Sequence, residues 1–208
     1  MNNSTNLIAF SLKLMNLKRF QPIWKNIQST YILFVACASS TALNSQCPTG
    51  DVYLTSQFQV DSFVDLHSSC TTINGNLAIG LDPNGNNGYW WEINDLSGLS
   101  SIENVIGDLT ISTIDSLFDL NGLQNITNVH GNLNIYNNSS IIDLSGLESL
   151  SRVDGSFTIQ DNDNLIDFNG LNYLDSIGGG MYIMGNVDSL FSFNGFSALK
   201  YIGGELRV

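Results

Sequence analysis

Along most of this chain, apolar and polar residues alternate in short bursts that return at a fixed interval. Leu77-Ala78-Ile79, Leu109-Thr110-Ile111, Leu133-Asn134-Ile135, Phe157-Thr158-Ile159, Met181-Tyr182-Ile183 and Leu206-Arg207-Val208 belong to one phrase, [IV]-x-G-x-[LFM]-x-[IV]. It opens at Ile73, Val105, Val129, Val153, Ile177 and Ile202, in steps of 32, 24, 24, 24 and 25 residues. A period of two predicts short strands with one face turned inward, here over 77–79, 109–111, 133–135, 157–159, 181–183 and 206–208. A second phrase, [DS]-[LF]-[SN]-G-[LF]-x-x-[LI], places glycines at Gly98, Gly122, Gly146, Gly170 and Gly195. Repetition at this period is the mark of stacked coils.

Each column of the repeat has a mechanical reading. The glycines are expected at corners where a side chain has no room. Asn138, Asn162 and Asn186 follow the strands by three residues and are suited to bonding the backbone of an adjacent coil. Leu117, Ile141, Leu165 and Leu190 begin the next inward face. A single coil buries too few side chains to offset the entropy of ordering its backbone, so stability must come from stacking neighbours. The expected fold is an all-β repeat solenoid, a right-handed parallel β-helix with coils of about 24 residues. The alternative is a leucine-rich-repeat horseshoe, which this spacing, with an extra glycine between apolar columns, fits less well. Ahead of the first coil, Ser56 and Gln59 have the spacing of a capping box. Val60, Phe63 and Val64 would share one helical face, so a capping helix is expected over about 56–67.

Charge divides the chain. Residues 1–46 hold Lys13, Lys18, Arg19 and Lys25 and no acid; residues 47–208 hold three basic residues and all 19 acids, 3 − 19 = −16. So acidic a body repels nucleic-acid phosphates and anionic lipid. The basic start followed by "TYILFVACASSTAL" reads as an export signal, too short to span a bilayer. The mature chain is expected to begin between Leu43 and Cys47, with no transmembrane segment. Met15 is the more natural start, which makes residues 1–14 an expected mis-assigned extension. A lipoprotein signal at Cys37 is the rival, and Phe34 fits it poorly. Cys47 and Cys70 are then an even pair in an oxidising compartment and read as a disulfide rather than as zinc ligands.

The chemistry-bearing residues are few. His67 falls at the end of the expected helix, exposed to solvent, and His130 lies beside Gly131 in a variable column. Asp161 and Asp163 sit at a turn, where Asp is ordinary. No catalytic residue, metal ligand set or cofactor is expected. An eight-residue insertion in the first coil, within Leu81–Asn94, carries Asp82, Asn84 and Asn86 in a partial calcium-loop pattern whose closing positions are wrong. Tyr89, Trp90 and Trp91 follow it, either packed over the first coils or presented as an aromatic contact.

The repeat phrases, with Cys47, the helix and "CTTINGNLAI" from Cys70, resemble the receptor L-domain family, the β-helical ligand-binding lobes of insulin-receptor-like and EGF-receptor-like ectodomains. The pattern is also similar to that of fungal wall-associated GPI proteins and of secreted flavobacterial repeat proteins. The resemblance covers about Cys47 to Val208. It implies a helix closing the first coil and a disulfide from the segment before it to the first strand. The chain stops on the last residue of a strand, where repeat arrays carry a cap, so a further C-terminal segment is expected.

The remaining candidate surface is the outward side of the strands. Asn134, Thr158 and Tyr182 form one column, with Ala78, Thr110 and Arg207. Tyr136, Gln160 and Met184 form the next, with Ser112. Small polar residues with two tyrosines suit an extracellular carbohydrate or protein. Sequons at Asn125, Asn137 and Asn138 would matter in a eukaryotic secretory route. The expected function is a secreted or cell-surface, non-catalytic binding or adhesion module with an unidentified ligand. A structural surface or wall component is the alternative, and a β-helix polysaccharide-degrading enzyme is a remote one.

Overall fold

The structure, a computed structural model, describes residues 46–80, 93–186, 190 and 192–208. The strands stack into two wholly parallel sheets. The first runs β1 (Val52–Leu54), β3 (Leu77–Gly80), β5 (Leu109–Ser112), β7 (Leu133–Tyr136), β9 (Phe157–Gln160), β11 (Met181–Met184) and β13 (Leu206–Arg207), in that order. The second holds two-residue strands: β2 (Thr72–Ile73), β4 (Asn104–Val105), β6 (Asn128–Val129), β8 (Arg152–Val153), β10 (Ser176–Ile177) and β12 (Tyr201–Ile202). Register follows the repeat, so Leu109, Leu133, Phe157 and Met181 pair in succession. The chain is therefore a β-solenoid of about six turns, as the apolar period requires. The sequence pattern does not reveal β1 or the second sheet, since two or three residues are too few to display an alternation.

The core is a set of columns. Leu77, Leu109, Leu133 and Phe157 are fully buried, as are Ile79, Ile111, Ile135 and Ile159 one step along each strand. Leu120, Leu144 and Phe168 close the opposite side. Removing this apolar surface from water is the main stabilising term. In the last turn Leu206 and Val208 occupy inward positions of the phrase and yet are exposed, because no described residue stacks on them.

Polar ladders fix the corners. Asn162 shows the pattern: its Oδ1 accepts from the Asn138 backbone N–H (3.1 Å) and Nδ2 (3.2 Å), while its own Nδ2 donates to the Ile135 and Gln160 carbonyls. Asn138 and Asn186 repeat it, and all three are buried. Burying these amides is tolerable because their donors and acceptors are matched within the stack. The expected role of this column is thus met, and it bars Asn138 from serving as a glycan acceptor.

A second ladder is new. The residue after each corner glycine accepts the backbone N–H of its counterpart one coil on: Asp51 from Asn76, Asn76 from Asp108, Asp108 from Asn132, Asn132 from Ser156, Ser156 from Gly180. This ladder explains the glycines. A Cβ on Gly131 would strike the Asp108 carboxylate and the Gly107 backbone. Gly146 is constrained twice, by φ +108° and by the Leu120 carbonyl where its Cβ would lie. A third set serves the turns: Asp95, Asp119, Asp143 and Asp167 each accept the N–H two residues on, at 2.8–2.9 Å. Part of the chain's acidity is therefore turn chemistry.

At the N-terminal end, helix α1 (Gln57–Leu66) covers the first coil with Val60 and Phe63 buried. Val64, expected on the same face, is exposed. Ser56 accepts the Gln59 N–H, and Gln59 Oε1 reaches back to the Thr55 N–H at 2.7 Å, a capping box shifted by one residue. Cys47 and Cys70 are bonded, with Cα atoms 4.6 Å apart. His67 is half-buried rather than exposed, because its ring packs near Phe63 and its Nδ1 lies 2.8 Å from the Gln46 carbonyl oxygen.

Candidate functional site

The outward side of the seven-stranded sheet brings six of the expected residues together. Pairing sets Asn134 beside Thr158 and Thr158 beside Tyr182; it sets Tyr136 beside Gln160 and Gln160 beside Met184. The strands present them because the alternate residues of β7, β9 and β11 are committed to the core. All six are half-buried, as expected for side chains packed along a sheet surface. Asn134 Nδ2 donates to Thr110 Oγ1 at 3.5 Å, and Gln160 Nε2 donates to Asp161 Oδ2 at 2.8 Å. Arg207, at the far edge, pairs with Glu205 at 3.0 Å.

Two details depart from a simple open face. Ser112, one step below Tyr136, is buried, so the second column opens to solvent only from Tyr136 onward. Tyr182 does not stand away from the sheet; its ring lies over Gly180, where a side chain at that position would collide with it. The glycine offers a bare backbone shelf, and the ring covers it. Tyr136 is therefore the freer of the two aromatics.

β5, β7 and β9 leave this face through a left-handed residue: Thr113 (φ 59°), Asn137 (φ 56°) and Asp161 (φ 52°). Asn and Asp tolerate that conformation; a β-branched Thr is strained there. The N–H groups of these residues continue the ladder to Tyr136, Gln160 and Met184 of the next coil. Tyr89, Trp90 and Trp91, with the partial calcium pattern of Asp82, Asn84 and Asn86, lie outside the described residues, as does the expected signal segment.

The other titratable group of interest is on the two-residue-strand side. His130 Nδ1 lies 2.8 Å from Asp154 Oδ2, and Arg152 Nε donates to the other carboxylate oxygen. The Arg152 guanidinium, with a smaller contribution from His130, holds the Asp154 carboxyl below its ordinary value, and Asp154 raises Arg152 in return. The pairing links residues one coil apart and is open to solvent, so it reads as a surface ion row. Among the described residues, no group of three His, Cys, Asp or Glu side chains gathers as a metal site would require. Among the same residues, no helix is long and apolar enough to cross a membrane.

One column went unread in the sequence: Phe118, Ile142 and Ile166, which are exposed and stack at the repeat interval. Each follows an inward residue, so it merges into the apolar run of its coil. The signal available was its recurrence at a position the strand pattern does not need.

Among curated proteins, none matches this chain. The family model described as Receptor L domain matches residues 69–186, from just before Cys70 through Asn186, the last amide of the buried ladder. That span is more than half of the 208 residues and contains β2 to β11, the strands that carry the outward face. The chain belongs to the receptor L-domain family.

Proposed function

We propose that this protein is a secreted or cell-surface, non-catalytic binding module whose ligand lies on the outward side of the seven-stranded sheet. The observation that carries the reading is the continuous surface of Asn134, Tyr136, Thr158, Gln160, Tyr182 and Met184, three strands wide and on the opposite face of the strands from the core residues. Amide and hydroxyl groups supply directional hydrogen bonds, and Tyr136 supplies broad contact area with few rotatable bonds. An extracellular polysaccharide or protein is the ligand class this mixture suits. The Cys47–Cys70 bond supports an oxidising compartment. Family membership supports ligand binding without catalysis.

The test is retention on immobilised extracellular polysaccharides and surface proteins by the mature chain and by a Tyr136→Ala/Gln160→Ala/Met184→Ala variant. Loss of a retained ligand in the folded variant supports the sheet face. Equal retention removes it. Retention of nothing by the wild type favours the structural surface component instead.

A further inference from the structure

In the segments that follow the seven-stranded sheet, Phe118, Ile142 and Ile166 stand in solvent, 64%, 45% and 43% exposed. The Ile142 N–H donates to the Phe118 carbonyl and the Ile166 N–H to the Ile142 carbonyl, at 3.4 and 2.8 Å. The three side chains therefore form a ridge along the solenoid axis, one step per coil, at a spacing of about 4.8 Å. The inward places of the same turns are filled by the residues just before them, Leu117, Ile141 and Leu165. The residues next along the chain, Asp119, Asp143 and Asp167, are held in their turns, and the exposed Asp115 precedes Phe118 by three residues. Among the described residues the ion pairs are His130–Asp154, Arg152–Asp154 and Arg207–Glu205, so none neutralises these four acids.

We propose that this ridge docks a basic amphipathic helix of a partner protein. A contiguous exposed apolar strip flanked by charge marks an interaction surface. Its step of about 4.8 Å lies near the helical pitch of about 5.4 Å and well short of the roughly 6.6 Å between same-side residues of a strand. A helix laid along the axis thus sets one apolar residue per turn against each coil, with Lys or Arg of its flanks over the aspartates. An anionic membrane is repelled by the same acids. A second copy of this face brings like charges together. The ridge is separate from the sheet face, and its role does not depend on the ligand proposed there.

The experiment titrates the intact mature chain into a labelled synthetic helix of Leu on one face and Lys on the other, read by fluorescence anisotropy. A Lys/Ser helix of equal charge and a Leu/Glu helix are the controls. Ile142→Asn with Ile166→Asn is expected to weaken binding about tenfold. Asp119→Asn with Asp143→Asn and Asp167→Asn keeps the side-chain oxygen that each turn needs while removing its charge. That variant should also bind about tenfold more weakly and lose the salt dependence of the wild type. Circular dichroism melting must match the wild type; if the isoleucine variant fails this, the aspartate variant decides alone. Absence of binding, equal binding of the Lys/Ser helix, unchanged affinity in the aspartate variant, or a wild-type dimer that dissociates on ridge substitution would each overturn the proposal.

Discussion

The Asn138–Asn162–Asn186 column and the Asn134–Thr158–Tyr182 column lie four residues apart in every coil and repeat at the same interval, yet they obey opposite rules. The first is buried and bonded on every side, and it keeps one residue type through three coils. The second is half-buried, sparsely bonded, and changes residue type at every coil. Depth sets the difference. A buried amide without a partner costs about 1–3 kcal/mol per orphaned group, so only a side chain that donates and accepts at once can fill the ladder. An outward side chain forfeits little when it changes. The architecture is thus written in the inward columns, and the outward ones are left freer to vary.

The sharpest way to break this contrast is Asn162→Ala. It leaves the buried Asn138 N–H without a partner and also removes the bonds to the Asn138 amide and to the Ile135 and Gln160 carbonyls, and at about 1 kcal/mol for each of the four bonds the expected loss is about 4 kcal/mol by urea unfolding. Leu133→Ala, a cavity in a fully buried column, should cost about 3 kcal/mol. Reducing Cys47–Cys70, which are 23 residues apart, should cost a similar ~3 kcal/mol in the chain-entropy model, concentrated at the helical cap. Native-state hydrogen exchange would locate it there; uniform loss of protection across the coils would contradict that placement. On the outward side, Tyr182→Ala should cost about 1 kcal/mol because its ring covers Gly180, whereas Tyr136→Ala should stay within about 0.5 kcal/mol.

The smallest expected effect is electrostatic. Asp154 has a folded pKa below its ordinary 3.8. Such a carboxylate stabilises the fold above its unfolded pKa, and the contribution is lost as pH falls through the folded value. Asp154→Asn should therefore lower stability by less than ~1 kcal/mol at neutral pH and converge with the wild type in strong acid. A constant difference at every pH would show that the carboxylate charge is not the cause.

Most of the fold could be read from the chain because its strands alternate and its glycines recur. Leu133-Asn134-Ile135 and Gly131 suffice to set one coil, and the interval sets the rest. The Asn138 column was legible because one residue type repeats. The ladder of acceptors Asp51, Asn76, Asp108, Asn132 and Ser156 was not, since any short side chain with an acceptor oxygen serves there and its members share no name. Val52–Leu54 was hidden for a different reason: Val52 and Leu54 are buried like the inward residues of the repeat, but the strand is three residues long and lies ahead of the first repeat glycine. At the candidate site, membership of the outward columns followed from alternation. The posture of Tyr182 did not, because it depends on the bare backbone at Gly180, two residues before it.

The most direct measurement is urea unfolding of the Tyr136→Ala/Gln160→Ala/Met184→Ala variant beside Asn162→Ala. If the outward face is free of folding duty, the triple variant unfolds within about 1 kcal/mol of the wild type while Asn162→Ala falls by about 4 kcal/mol. A triple variant that unfolds as early as Asn162→Ala would show that the outward columns hold the coils together, and the separation of fold from recognition would be wrong.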